Sequence, residues 1–406
     1  MRTPVRIDRR EFVQALATLA GVAATQGRAA AQATARPLPS DPAVGMREPL
    51  AAYFDDLCAW IMGLDVGSNQ LKGTKDTATS IFINGNFARV LMASCRITGN
   101  QAHLDEALRW GDTFCSIQQR TESSKGGEAG FWPDCGPQGN IYFGDAGTAA
   151  HALAALHREA APERQATYRA AMERMARFVI DGCPHDPQGA GRDATPTWII
   201  RDGNDAGAIG CGYYRGKLST EPYTIATATT GTAFFSELFA ITGDPEYKGI
   251  ATRAVKWLLR SRNDDGEIPY TLAGQTLDSW PLDTMSYCTE AFIAADRLLD
   301  DDALRTALHR ELAPSVQWLL AGQNPDGSWG ALRSADQQRS PRAVSLLVWA
   351  LRWIEPKEPV TDAIRRYCAF LLDAKNSKAY GVKELVRTTG FVGLALADML
   401  KPDSTF

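Results

Sequence analysis

The sequence predicts an all-α fold, an (α/α)6 arrangement in which six helical hairpins close into a ring. Three observations lead there. Apolar residues recur at three- and four-residue intervals along most of the 406 residues, with no strand-like alternation to compete. An aromatic–aliphatic pair that ends a helix before a polar loop occurs five times, at Phe114-Cys115, Phe178-Val179, Trp257-Leu258, Trp318-Leu319 and Phe370-Leu371, in steps of 64, 79, 61 and 52 residues. Short and long connections alternate between the helices. A unit of this size cannot bury its apolar face alone, so it must pack on its neighbours.

In chain order, the patterns predict a helix over 49–64, then pairs over 87–97 and 104–118, 148–159 and 168–180, 232–241 and 247–261, 289–299 and 303–320, and 343–353 and 360–374. A last helix over 391–400 is expected to pair with the first and close the ring. Glycine and Asx-type residues mark the ends, as in Thr98-Gly99-Asn100 and Thr242-Gly243-Asp244-Pro245. Turns within a pair are usually short, whereas the loops 120–146, 182–228, 262–287, 322–341 and 375–388 are long. If the pairs wind in one direction, the long loops share one rim. Long loops in a compact domain usually carry function, so this rim is the expected working face.

Residues 1–33 read as an export segment rather than part of the fold. Arg9-Arg10-Glu11-Phe12-Val13 precedes a short alanine-rich run and the small-residue site Ala31-Gln32-Ala33, the pattern of a twin-arginine signal peptide. Residues 34–48, with Pro37, Pro39 and Pro42, read as a linker, and 49–406 as the ring domain. The expected location is the periplasm or beyond, with no membrane span. Without residues 1–33 the chain holds 38 basic and 45 acidic residues, a formal charge of −7, and no basic run. Nucleic acid is therefore not an expected partner.

Of the eight cysteines, Cys58, Cys95, Cys115, Cys288 and Cys368 fall in apolar helical patterns, where a thiol acts as a small hydrophobe. Cys135, Cys183 and Cys211 lie in loops, and at most one disulfide among them is expected. Cys183, His185 and Cys211 lack a recognisable fourth zinc ligand. Asp202, Asn204 and Asp205 carry oxygen ligands without the spacing of a calcium loop. No metal or other cofactor is expected.

The segment Gln323-Asn324-Pro325-Asp326-Gly327-Ser328-Trp329, together with the helix pairs, resembles the α/α toroid proteins over roughly residues 50–400. That group includes the six-hairpin glycosidases, the polysaccharide lyases and the terpenoid cyclases. In the cyclases the Gln-to-Trp motif is structural, and the resemblance implies that Gln323 caps a helix end here with Trp329 packed on it. The Asp-x-Asp-Asp acid motif of the cyclases is absent.

Candidate chemistry concentrates in the long loops. Trp132 and Asp145 come from the first, and Trp198, Asp205, Tyr213 and Arg215 from the second. Trp280 precedes Asp283, Tyr287 and Glu290, whose i, i+4, i+7 spacing puts them on one helix face. Arg339 and Arg342 lie around the end of the fourth loop. A glycoside hydrolase needs a protonated acid and a second carboxylate, and Asp283 or Glu290 opposite Asp145 or Asp205 would supply them, with Tyr287 beside them. Trp132, Trp198, Tyr213, Arg215, Trp280, Arg339 and Arg342 are the expected substrate-binding residues. Simpler roles compete: Asp145 and Asp283 are placed to cap helices, and Glu290 to pair with an arginine. The expected function is an exported carbohydrate-active enzyme acting on an oligo- or polysaccharide, a glycoside hydrolase first. The alternatives are a uronate-specific lyase using Arg215, Arg339 or Arg342 with Tyr213, Tyr287 or His151, a terpenoid-cyclase-like enzyme, and a non-catalytic binding protein.

Overall fold

A computed structural model describes residues 43, 45–66, 70–73, 80–134, 140–185, 197–214, 217–277, 281–330, 340–373 and 386–406. The expected export segment and most of the linker lie outside these residues. The inner ring is made of α2 (Ile81–Thr98), α4 (Phe143–His157), a composite helix, α9 (Pro281–Leu298), the 3-10 turn Ser340–Ala343 with α11 (Val344–Ala350), and α13 (Val386–Leu400). The composite helix runs from α6 (Thr224–Ala226) through a π-helix (Thr227–Phe234) into α7 (Phe235–Thr242). Around it stand α1 (Arg47–Met62), α3 (Gln101–Ile117), α5 (Pro162–Asp181), α8 (Pro245–Arg260), α10 (Asp302–Ala321) and α12 (Glu358–Leu372). Each inner helix touches the next, α13 returns to α2, and α13 also packs on α1. The ring therefore closes through the first and last helices, as the pattern predicts.

Local chemistry explains the short turns. Gly99 and Gly243 end α2 and α7 at φ 79° and 74°, a conformation that costs glycine little. Before each, Thr98 and Thr242 donate a hydroxyl to a carbonyl four residues back. The same hydroxyls accept from the amides of Asn100 and Asp244. Those two residues then cap α3 and α8 through their side chains.

The other connections carry the repeat. Trp329 Nε1 donates to the Leu319 carbonyl at 2.8 Å, and Gln323 Nε2 donates to the Gly327 and Ala363 carbonyls. Trp132 does the same in the first unit, donating to the Phe114 carbonyl at 2.7 Å. Each indole ties a loop back to the helix end that its aromatic–aliphatic pair marks. In three units a loop glycine with positive φ lies against a backbone carbonyl of the following outer helix: Gly207 on Arg253, Gly266 on Pro314 and Gly327 on Arg366. No side chain fits in that approach.

Two features escape the sequence pattern. The long loops contain short antiparallel strands: β1 (Asp65–Val66), β2 (Lys72–Gly73), β3 (Gln119–Glu122), β4 (Glu128–Phe131), β5 (Ile141–Tyr142), β6 (Gly210–Tyr214), β7 (Lys217–Pro222), β8 (Tyr270–Leu272) and β9 (Gln275–Leu277). They are too short for an alternation to register. The inner helices α2, α4, the composite helix and α9 also begin five to eight residues before their expected starts. Their first turns are mostly buried, and that of the composite helix entirely so over Thr224–Thr232, so no broad polar face reveals a helical period.

Candidate active site

Each inner helix follows a long connection, and all but α13 lead through a short turn into their outer partners, so the inner N-termini share the long-loop rim. Asp145 is the third residue of α4 and Asp283 the third residue of α9. The short helix α6 touches both α4 and α9, which places the two carboxylate-bearing first turns on either side of it. Asp145 is half-buried and Asp283 is buried.

Tyrosines and a threonine brace α6. The rings of Tyr223 and Tyr270 meet edge to face, with centroids 6.0 Å apart and planes at 89°. Thr224 Oγ1 donates to the Pro269 carbonyl at 3.0 Å and accepts from the Thr271 amide. Burial pushes the Tyr223 phenol well up, and Tyr270 and the Asp145 charge push it further. Burial, then Asp145, also raises the Cys211 thiol to about 12.

One turn below Asp283, Tyr287 is buried with its ring against Phe391, at 5.5 Å and 84°. Seven residues below Asp283, or about 10 Å along the helix, Glu290 enters a network of charges inside the ring. Arg89 Nη1 donates to both its oxygens at 2.8 and 2.9 Å, and Arg342 Nε donates to Oε1 at 2.9 Å. Arg342 also binds Asp398, Ser345 Oγ and Thr405 Oγ1. His151 lies between Glu237, 3.4 Å from Nε2, and Glu290, 3.7 Å from Nδ1, while Glu237 pairs with Arg158. Burial alone would raise the Glu290 pKa. The charges and hydrogen bonds of Arg89 and Arg342 outweigh it and hold the carboxyl below its ordinary value. Burial, then the charges of Arg89, Arg158 and Arg342, keep His151 neutral.

Towards the short-turn side, residues 403–406 fill the ring. The Phe406 ring lies 5.4 Å from that of His151 and beneath the guanidinium groups of Arg89 and Arg297. Asp403 pairs with Arg297 and Arg352. Below the rim, the interior is therefore packed with ion pairs and an aromatic ring.

The expected site residues separate accordingly. Asp145 on α4, and Asp283 and Tyr287 on α9, belong to inner helices on either side of the composite helix. Glu290 pairs with arginine, the simpler of its two expected roles. Asp205 turns to the outer layer and accepts from Trp257 Nε1 at 3.1 Å, beside an open recess of about 420 Å³ lined by Asp202, Asn204, Thr220 and Glu221. Three expected substrate platforms are corrected. Trp132 and Trp198 are fully buried, and Tyr213 is 1% exposed; Trp198 packs on Phe143 at 4.9 Å and on Tyr213 at 5.7 Å. Aromatic surface inside the core offers a sugar no face. Arg342 is fully buried within the ion pairs and is likewise no surface clamp. Arg215, Trp280 and Arg339 lie outside the described residues, as does Cys135. Cys183 Sγ donates to the His185 carbonyl at 2.9 Å, and Cys211 is buried.

Sequence reasoning missed Arg89, Asp398 and the Glu237–Arg158 pair. A signal was available: Arg89 stands alone among apolar residues of an inner helix, and such a charge needs a buried partner.

No family model matches the chain, and no curated relative matches it. Solved structures do. An alpha-1,6-mannanase of Salegentibacter, an inactive variant with two adjacent aspartates replaced and bound to alpha-1,6-mannotriose, aligns with TM-score 0.58 at 12% identity, over 86% of this chain and 99% of that one. A polysaccharide lyase aligns with TM-score 0.60 at 11% identity, over 87% and 97%. A cellobiose 2-epimerase from Spirochaeta thermophila aligns with TM-score 0.60 at 14% identity, over 87% and 96%. Element order, ring closure and these alignments agree that the chain has the six-hairpin α/α toroid fold.

Proposed function

We propose that this chain is an exported carbohydrate-active enzyme, a glycoside hydrolase whose reacting carboxyls are Asp145 and Asp283. One observation carries the reading: two inner helices flanking α6 each present an aspartate at the third residue, on the long-loop rim. The deeper Glu290 is held ionised by two arginines and cannot serve as proton donor. One rim carboxyl would protonate the glycosidic oxygen as the bond to the anomeric carbon breaks. The other would activate water or attack that carbon, their separation deciding the stereochemical outcome.

The known proteins of this fold support the class, since those named above act on mannan or cellobiose or cleave polysaccharides. The mannanase variant is inactive with two adjacent aspartates replaced. Adjacent aspartates occur in this chain at Asp55-Asp56 on α1, at Asp264-Asp265 in a turn and at Asp300-Asp301-Asp302 at the start of α10, so the pair read here lies instead on two different inner helices. The lyase reading loses one of its arginines, because Arg342 is already bound by Glu290 and Asp398. A glycan-binding protein without turnover is the second reading, favoured by the ion pairs that fill the ring below the rim.

The test is a screen of neutral and uronate polysaccharides that follows new reducing ends together with the ultraviolet absorbance of unsaturated uronate. Reducing ends alone are expected, lost by 10²-fold or more in Asp145→Asn and Asp283→Asn. Absorbance rising with the reducing ends would select the lyase. Binding without cleavage in the folded protein would select the second reading.

A further inference from the structure

The composite inner helix contains eight consecutive residues, Thr227–Phe234, in π conformation, set between α-helical segments. Such widened turns are rare and occur often at functional sites. This one lies against the first turn of α4. Thr229 Oγ1 lies 2.9 Å from the Gly144 carbonyl and 3.3 Å from that of Phe143, and Thr230 Oγ1 donates to the Phe143 carbonyl. Phe143 and Gly144 immediately precede Asp145.

Sequence and packing agree with this reading. Gly147, one turn into α4, lies so close to Thr229 and Thr230 that a Cβ would overlap the backbone amide and hydroxyl of Thr230. Gly231 similarly admits Ile209 and Ala254 on the opposite side. The Thr-Ala-Thr-Thr-Gly run is thus held between α4 and the outer layer. Thr229 shares its single proton with the Ile225 carbonyl of its own helix at 2.9 Å, which couples α6 to the same point.

We propose that the π-helix is the positioning element of the rim acid. The hydroxyls of Thr229 and Thr230 grip the Phe143 and Gly144 carbonyls and set the direction in which Asp145 leaves the start of α4. This rests on the reading of Asp145 as a reacting carboxyl, and Thr229 and Thr230 act only through it. Displacement of a reacting group by about 1 Å can lower a rate by as much as 10²-fold, so such a grip has catalytic weight.

The experiment follows the Asp145 carboxyl by carbon-13 NMR as a function of pH, its resonance identified by its loss in Asp145→Asn. Wild type is compared with Thr229→Val/Thr230→Val, each single valine variant and Thr229→Ser/Thr230→Ser. We expect the folded valine variants to shift the Asp145 midpoint by half a pH unit or more and the serine variant to restore it. An unchanged midpoint in a folded valine variant, even with lower thermal stability, would make the threonines ordinary packing and overturn the proposal. The single variants serve if the double does not fold. No substrate is needed, so this result is independent of the glycan screen. On a glycan that screen identifies, kcat should fall about tenfold with KM unchanged.

Discussion

Both oxygens of the Glu290 carboxylate close on one nitrogen of Arg89, at 2.8 and 2.9 Å, inside a ring where both side chains are buried. With Arg342 on Oε1, this carboxylate joins α9 to α2 and to the 3-10 turn before α11. The contact spans 201 residues of sequence. It makes Glu290 a structural joint between inner helices.

Removing one member of a buried ion pair strands its partner. Glu290→Ala is expected to destabilise the fold by about 3–5 kcal/mol, since Arg89 then has no carboxylate. Urea unfolding measures this. A loss under about 1 kcal/mol would mean that water replaces the carboxylate and that the interior is open.

Neutral His151 implies a pH dependence. Its folded pKa lies well below the ordinary 6.5, so the unfolded chain binds the proton first as pH falls, and stability is lost below about pH 6.5. His157, lowered to about 4 by burial and then by Arg158 and Arg169, acts in the same direction. Glu290, whose folded pKa is depressed below 4.5, contributes stability that is lost only at lower pH. Between pH 7.5 and 5.5 the unfolding free energy should fall, by at most about 1.4 kcal/mol per pH unit for each histidine. His151→Leu should flatten that slope, and an unchanged slope would contradict a buried neutral imidazole.

Gly327 and Gly99 separate close packing from backbone strain. Both have positive φ, at 92° and 79°, but only Gly327 faces a carbonyl, that of Arg366, while nothing lies within 4 Å of a Cβ at Gly99. Gly99→Ala should cost about 1 kcal/mol. Gly327→Ala should cost an additional 1–3 kcal/mol, roughly, for the overlap. Equal losses by chemical denaturation would show that the loop moves freely off α12.

Trp132 and Trp329 should behave as structural twins. Replacing either by Phe strands a helix-end carbonyl and should cost about 1–3 kcal/mol. In thermal melts both variants should unfold earlier, with glycan affinity unchanged. Weaker glycan binding by Trp132→Phe at full stability would restore it as a substrate platform.

Much of the ring was legible without coordinates. The outer helices have one apolar face, so α3, α5, α8, α10 and α12 announce themselves by period, and Thr-Gly-Asn and Thr-Gly-Asp state their turns in local hydrogen-bond chemistry. In the Gln323–Trp329 motif, read from its resemblance to the toroid proteins, the bonds to Gly327 and Leu319 are local, whereas Gln323 also reaches the Ala363 carbonyl of α12, 40 residues on. Tertiary structure alone decided which charges meet inside the ring. Glu290 finds its arginines on α2 and on the 3-10 turn, 201 and 52 residues away in sequence. Trp198 and Tyr213 look like loop aromatics until β6 and the Phe143–Phe178 cluster enclose them. The π-helix depends on contacts with α4 and with Ile209 and Ala254, which a run of threonines does not disclose. Local pattern specifies what a segment does with its own backbone; burial and charge pairing are set by segments that the closing of the ring brings together.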